Sequence, residues 1–103
     1  MGKLIELAPD AVDDLTEING YISLVLKNPE AADRIVNCIL DEIERLSDSP
    51  ELGVAFESKF GIHTDLRYLV VEKYIVIYRN TDEKVRVIHV FYGKRNYLKI
   101  LFG

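Results

Sequence analysis

The sequence predicts an α+β domain in which one mainly antiparallel sheet packs against a pair of helices. Apolar residues recur at helical spacing over residues 9–46, and β-branched and aromatic residues then dominate residues 65–92. Hydrophobic residues make up 49% of the 103 positions and charged residues 29%, as in compact globular proteins. The expected order is β-α-α-β-β-β, with a short helix as an option at the C-terminal end and a single domain over residues 1–103.

A proline separates the first strand from the first helix. Residues 3–8 are short and mostly apolar, and Pro9 ends them, which predicts a strand. Proline is tolerated at the first position of a helix, and Asp10 behind it favours the positive end of the helix dipole. The first helix is expected over residues 9–26, because one apolar stripe follows at spacings of three and four residues: Ala11, Leu15, Ile18, Ile22 and Leu26.

A second helix begins at Asn28 and Pro29, where the asparagine side chain can cap the first turn. The short link makes the two helices antiparallel neighbours. Cys38 lies beside the apolar stripe, as a half-buried core residue would, and as the single cysteine it excludes an internal disulfide. The apolar stripe of this helix consists of Ala32, Ile35, Val36, Ile39, Leu40, Ile43 and Leu46.

Three strands are predicted after a turn at residues 48–53, over residues 65–71, 74–79 and 85–92. Their short links make them antiparallel neighbours. The middle strand is apolar on both faces, with Tyr74, Val76 and Tyr78 on one and Ile75 and Ile77 on the other. Because a helix pair covers one face only, the second needs the tail over residues 96–102 or a separate polypeptide. We therefore expect the free protein to self-associate and a partner to bury this face.

Charge is divided unevenly along the chain, whose net charge is −4. Residues 1–58 carry four basic and thirteen acidic groups, whereas residues 59–103 carry nine basic and four acidic groups. The acidic total argues weakly against direct nucleic-acid binding, while the second half is expected to suit an acidic or phosphate-bearing partner.

The sequence lacks the motifs of metal and cofactor sites. There is no cysteine pair, His63 and His89 are far apart, and no glycine-rich phosphate loop is present. No stretch approaches the length of a membrane span, and a lone cysteine fits a reducing compartment. We therefore expect a cytoplasmic protein with no metal, no cofactor and no membrane association.

Polar groups on and after the strands are the candidates for chemistry. Arg67, Arg79 and Arg95 come from or follow adjacent strands, so one rim could hold all three. Arginine suits a phosphodiester because its guanidinium matches two phosphate oxygens. His89 alternates with core positions, and a hydrogen-bonded core histidine is its alternative interpretation. The remaining candidates for proton transfer, stacking or target contact are His63, Tyr92, Tyr97 and Lys94.

Four segments together resemble the RelE/ParE superfamily, the toxins of type II toxin-antitoxin systems. They are APDAVDDLTEINGYI at 8–22, SPELG at 49–53, DLRYLVVEKYIVIYR at 65–79 and VFYGKRNY at 90–97. The resemblance implies growth arrest, a role in plasmid stabilization and a small cognate antitoxin that wraps the toxin. It also implies that the pair represses its own operon, so that the toxin reaches operator DNA only through the antitoxin complex.

The resemblance leaves two activities open. RelE-like members cleave mRNA on the ribosome, and Arg67 and Arg95 match the two arginine positions of their pattern. His63 is the candidate base. Leu101 stands at the position of the tyrosine that RelE-like members have near the C-terminus, and Tyr97 could substitute for that tyrosine. ParE-like members inhibit DNA gyrase and lack that set. The absence of the expected lysines before the strand arginine and the acidic total favour the ParE-like activity. An inactive homologue that only binds its antitoxin is a third alternative. The residues expected to bind the substrate or target are Arg79, Lys94 and Tyr92.

Overall fold

The computed structural model describes residues 2–93 and 96–103 and confirms the α+β class. The short C-terminal helix is present, and a two-residue strand and a five-residue helix add to the expected order. None of the described helices is long and apolar enough to cross a membrane. The elements are β1 (Leu4–Leu7), α1 (Pro9–Gly20), a π-helix (Tyr21–Val25), α2 (Pro29–Arg45), β2 (Val54–Ala55), α3 (Phe56–Phe60), β3 (Leu66–Val71), β4 (Tyr74–Asn80), β5 (Lys84–Tyr92) and α4 (Tyr97–Phe102).

The five strands form one sheet in the order β1-β5-β4-β3-β2. β1 pairs with β5 in parallel, and the other neighbours are antiparallel. The turn between β3 and β4 holds two residues, so Val71 faces Tyr74 across it. A bulge interrupts the β4–β5 ladder between Ile77 and Tyr78.

The helical hairpin of α1 and α2 packs on one face of the sheet. The Asn28 side chain caps α2 as expected, accepting a hydrogen bond from the Ala31 N–H at 3.1 Å. Cys38 is half-buried against this core. The main core joins the hairpin to the sheet through Ala11, Leu15, Ile39, Ile43, Leu46, Val71, Val76, Tyr78, Val85, Val87 and Val90.

The first helix changes its winding at Gly20. The π-helix that follows has wider turns, and the Leu26 N–H donates to the Tyr21 carbonyl five residues back. Wider turns shift each later side chain around the axis, so Ile22 stays buried while Leu26 is 56% exposed. The expectation that Leu26 continues the buried stripe is therefore wrong.

The second face of the sheet is covered from within the chain. Ile75, Ile77 and Phe91 are buried there beneath α3 and α4, with Phe56 at the centre of the contact. The tail over residues 96–102, one of the two covers expected for this face, supplies part of the cover as α4, and α3, which the sequence pattern did not indicate, supplies the rest. The expectation that a partner buries this face is therefore wrong. Self-association through these residues loses its basis.

Candidate functional site

Arg67 lies in β3 opposite Tyr78, on the face that carries the helical hairpin. Its Nη1 donates to the Gly53 carbonyl at 2.8 Å. The buried Tyr78 hydroxyl accepts from the Gly53 N–H at 2.9 Å and donates to the Pro50 carbonyl at 2.8 Å. Burial raises the pKa of Tyr78, partly offset by the Gly53 N–H and the Arg67 charge, so the hydroxyl keeps the proton that it donates. Together these bonds hold the loop at residues 50–53 against the sheet.

The Arg67→Ala variant is expected to lose about 1–2 kcal/mol of unfolding free energy, because the Gly53 carbonyl loses a charged donor. Arg45→Ala is the matched control. Its side chain is 62% exposed and, among the described residues, forms an ion pair only with Glu42 of the same helix, so the expected change is below about 0.5 kcal/mol. Urea denaturation measures both. Equal losses for the two variants would mean that Arg67 does not hold this loop.

Arg79 lies on the opposite face of the sheet from Arg67. It faces Leu66 across β3, and its Nε pairs with the Asp65 carboxylate at 2.8 Å. The common rim expected for these two arginines is therefore not formed. Lys94 and Arg95 lie outside the residues that the structure describes.

Two of the candidates for proton transfer, His63 and Tyr97, form no hydrogen bond with Arg67 within the described part of the chain. His63 is in the loop between α3 and β3, with a side chain 97% exposed and Nδ1 3.4 Å from a Glu57 carboxylate oxygen. Tyr97 begins α4 and packs beside Phe56, at a ring distance of 6.3 Å. Burial raises the pKa of Tyr97, and the nearby Tyr68 adds to this, so its phenol holds its proton more firmly than in water.

His89 lies in the part of β5 that extends beyond the end of β1, where it contacts α1. Its Nδ1 lies 2.8 Å from a carboxylate oxygen of Asp14, which also accepts the Val90 N–H at 2.9 Å. The imidazole stacks on Phe91 at 4.5 Å. Because β1 ends at Leu7, Asp14 occupies the place beside β5 that a longer first strand would fill. The arrangement agrees with the hydrogen-bonded alternative for His89.

A groove of about 800 Å³ lies between the tip of the helical hairpin, the β3–β4 turn and the end of β5. Tyr92, the remaining candidate, lies on its wall, and its ring meets that of Tyr74 edge-on at 5.8 Å. Burial raises the pKa of Tyr74, and Tyr92, Glu72 and Tyr21 raise it further, so this phenol remains a hydrogen-bond donor. The other lining residues are Asp14, Glu17, Ile18, Tyr21, Ile22, Leu26, Asn28, Ala31, Arg34, Ile35, Glu72, Lys73 and Val90.

Comparison with protein families decides the assignment. The model of the ParE toxin of the type II toxin-antitoxin system parDE matches residues 5–97. The chain belongs to this ParE toxin family. A search of curated proteins found no match.

Two solved structures show that other toxin-antitoxin proteins share the ParE fold seen here. One is described as a chromosomal ParDE toxin-antitoxin system from P. aeruginosa, with a TM-score of 0.70 and 19% identity over 87% of this chain and 95% of that one. The other is described as the toxin-antitoxin complex RelBE2 from Mycobacterium tuberculosis, with a TM-score of 0.64 and 16% identity over 89% of this chain and 99% of that one.

Most residues that line the groove of this ParE-family toxin could not be predicted as functional from the sequence. Of its lining residues, only Tyr92 is a candidate for target contact from the sequence. The run Leu24, Val25 and Leu26 was a partial signal, since three consecutive apolar residues exceed what one face of a helix can bury. Of these three residues, Leu26 lines the groove.

Proposed function

We propose that this ParE-family toxin acts in the cytoplasm as a single domain that blocks DNA gyrase, and that a cognate antitoxin neutralises it. The ParE family match supports the gyrase target over mRNA cleavage. The description of the P. aeruginosa neighbour as a ParDE toxin-antitoxin system supports an antitoxin partner. The acidic helical half of the present chain disfavours contacts with phosphate groups, so the toxin reaches operator DNA only through the antitoxin complex.

The separation of the nuclease candidates is the observation that carries the proposal. Cleavage of a phosphodiester needs a base, an acid and a cationic group within hydrogen-bond reach of one phosphate. Arg67 instead donates to the Gly53 carbonyl on the hairpin side of the sheet, while Tyr97 packs on the other side. His63 extends into solvent from a loop. Among the described residues, this leaves no assembled nuclease centre.

The RelE-like alternative rests on Arg67 and Arg95, which stand at the two arginine positions of the RelE-like pattern. In that case His63 and Tyr97 would be catalytic. Such an enzyme would need its substrate or ribosome to bring the separated groups together. The inactive homologue is the third outcome, in which the chain binds its antitoxin and nothing else.

Two assays on the purified protein test the proposal: supercoiling by gyrase, and primer extension on mRNA in translating ribosomes. We expect inhibited supercoiling and intact mRNA, because the described residues form no cleavage centre. Expression of the chain alone should arrest bacterial growth, and coexpression of its antitoxin should restore it.

Matched arginine variants make the comparison specific. If the chain were a nuclease, Arg67→Ala would lower cleavage about a hundredfold, whereas Arg45→Ala would leave it unchanged. Cut mRNA with unaffected supercoiling would overturn the proposal in favour of the RelE-like activity. Absence of both effects, with antitoxin binding retained, would identify an inactive homologue.

A further inference from the structure

We propose that the outer surface of α3 and α4 binds an acidic segment of the antitoxin, which places apolar side chains against α4 and carboxylates beside Lys59 and Lys99. The existence of an antitoxin partner rests on the proposed function. The location and the chemistry of the surface rest on the two helices themselves, which form a layer over the second face of the sheet.

α4 is apolar on both its inner and its outer side. Five of its six residues are apolar or aromatic, and Lys99 is the exception. Ile100 is 46% exposed and Phe102 41%, and no residue of this helix is fully buried. A helix that is hydrophobic all round is typically buried, so the outer side of α4 favours a further cover. The inner side packs against the second core through Tyr97, Leu98 and Leu101.

α3 extends this apolar surface. The buried ring of Phe56 lies 5.7 Å from that of Phe60 and 5.8 Å from that of Phe102, so these two exposed rings both lie beside it. Aromatic side chains are enriched at the centres of protein interfaces, and exposed apolar surface with a polar rim marks interaction sites. The two helices therefore present one surface that suits apolar side chains of a partner.

Charge selects an acidic partner for this surface. Residues 56–63 and 93–103, which include the two helices, hold four basic side chains and one carboxylate. Residues 9–48, which include the helical hairpin, hold three basic and ten acidic side chains. An acidic segment is therefore repelled by the hairpin and attracted to the surface of α3 and α4.

The lysines on the two helices are free to pair with a partner. Lys59 in α3 and Lys99 in α4 are exposed, and neither forms an ion pair within the part of the chain that the structure describes. Glu57 is the one carboxylate side chain on these helices, and its oxygen lies 3.4 Å from His63 Nδ1. Carboxylates of a partner can thus pair with both lysines without displacing an existing ion pair.

The antitoxin is the partner that such a surface suits. An apolar surface that stays exposed favours aggregation, so it requires a partner that remains bound for as long as the toxin is stored. The antitoxin meets this condition, because in the proposed function it stays on the toxin until growth arrest begins. A target that is met only after release does not.

Two variants and two matched controls test the proposal with the purified protein encoded next to the toxin gene, which is the expected antitoxin. Ile100→Glu and Lys99→Glu should each raise its dissociation constant about tenfold or more. Val12→Glu and Lys27→Glu, at exposed positions on the hairpin side, should change it less than about twofold. Added salt should reduce the effect of Lys99→Glu, because ions screen exposed charges.

Crosslinking and circular dichroism make the binding result specific. A photoreactive amino acid at position 100 should crosslink to the antitoxin, and one at position 12 should not. Unchanged circular dichroism is expected for both variants. If Ile100→Glu fails to fold, Lys99→Glu still decides the question, because its side chain is exposed.

Growth arrest separates the possible failures. Both variants should arrest growth as the wild-type chain does, and they should continue to arrest it when the antitoxin is coexpressed. A wild-type chain that binds no such protein overturns the antitoxin partner of the proposed function and this surface with it. If the wild-type chain binds the antitoxin and both variants bind it equally well, this surface alone is wrong. Loss of arrest at unchanged antitoxin affinity would assign the surface to the target and also overturn the proposal.

Discussion

Replacing Phe56 by alanine should lower the free energy of unfolding by about 3–5 kcal/mol, as removal of a buried aromatic ring does. Phe56 is 0% exposed, and its ring lies 5.3 Å from that of Tyr68 and 5.8 Å from that of Phe102. Because α3 and α4 meet the sheet through this ring, its loss should loosen both helices. The expected loss is a large part of the 5–15 kcal/mol that stabilises a typical domain.

Exposure of the sheet face that Phe56 helps to cover is the second property to measure in the Phe56→Ala variant. Ile75 and Ile77 should become accessible, so we expect increased binding of a hydrophobic dye and concentration-dependent light scattering. Phe60→Ala is the control, because Phe60 lies beside Phe56 at 5.7 Å but is 36% exposed. It should lose only about 1–2 kcal/mol and bind no additional dye. Equal losses, or no dye binding by Phe56→Ala, would show that this ring does not hold α3 and α4 in place.

The Gly53→Ala variant should lose about 2–4 kcal/mol, because the added methyl group has no space and disturbs a hydrogen bond. A Cβ at Gly53 would lie 2.6 Å from the Tyr68 carbonyl oxygen and 2.7 Å from the Tyr78 hydroxyl. The first is backbone of β3, and the second belongs to a fully buried side chain, so neither can move away easily. The loop at residues 50–53 must therefore shift, which weakens the bond from the Gly53 N–H.

The Gly20→Ala variant should have the opposite effect on stability. Gly20 has helical backbone angles, and among the described residues no heavy atom lies within 4 Å of an added Cβ, apart from its chain neighbours and the backbone of its own helix. Alanine there should increase stability by about 0.5–1 kcal/mol, since it restricts the unfolded chain. Thermal and urea unfolding of both variants provide the measurement. If Gly53→Ala proved as stable as the wild-type chain, the close approach at this loop would be wrong.

Local patterns were sufficient to predict the helical hairpin. α2 could be predicted because its apolar stripe and its Asn28 cap are both encoded by neighbouring residues. It runs over Pro29–Arg45, one residue shorter than expected. α1 was predicted too long, since the apolar spacing continues to Leu26 although the winding changes at Gly20. A π-helix leaves no distinct spacing signal over five residues.

Contacts between distant segments explain what the sequence did not predict. α3 has five residues, too few for any period to be recognised, yet its Phe56 centres the second core. The sequence was nevertheless sufficient to predict that Arg67 and Arg79 lie on opposite faces of the sheet. A two-residue turn places Arg67 opposite Tyr78, and Arg79, one position further, must then lie on the other face. The groove combines residues from four parts of the chain, and no local pattern brings them together.

The parallel pairing of the first strand with β5 also sets when a newly synthesised chain can complete its fold. Glu6 contacts Arg86, 80 positions further along the chain, so β1 has no neighbour until most of the message has been translated. Contacts between such distant positions make folding slower. We therefore expect the nascent chain to leave the ribosome before its sheet is complete, so that the pairing of β1 with β5 is a step that follows translation.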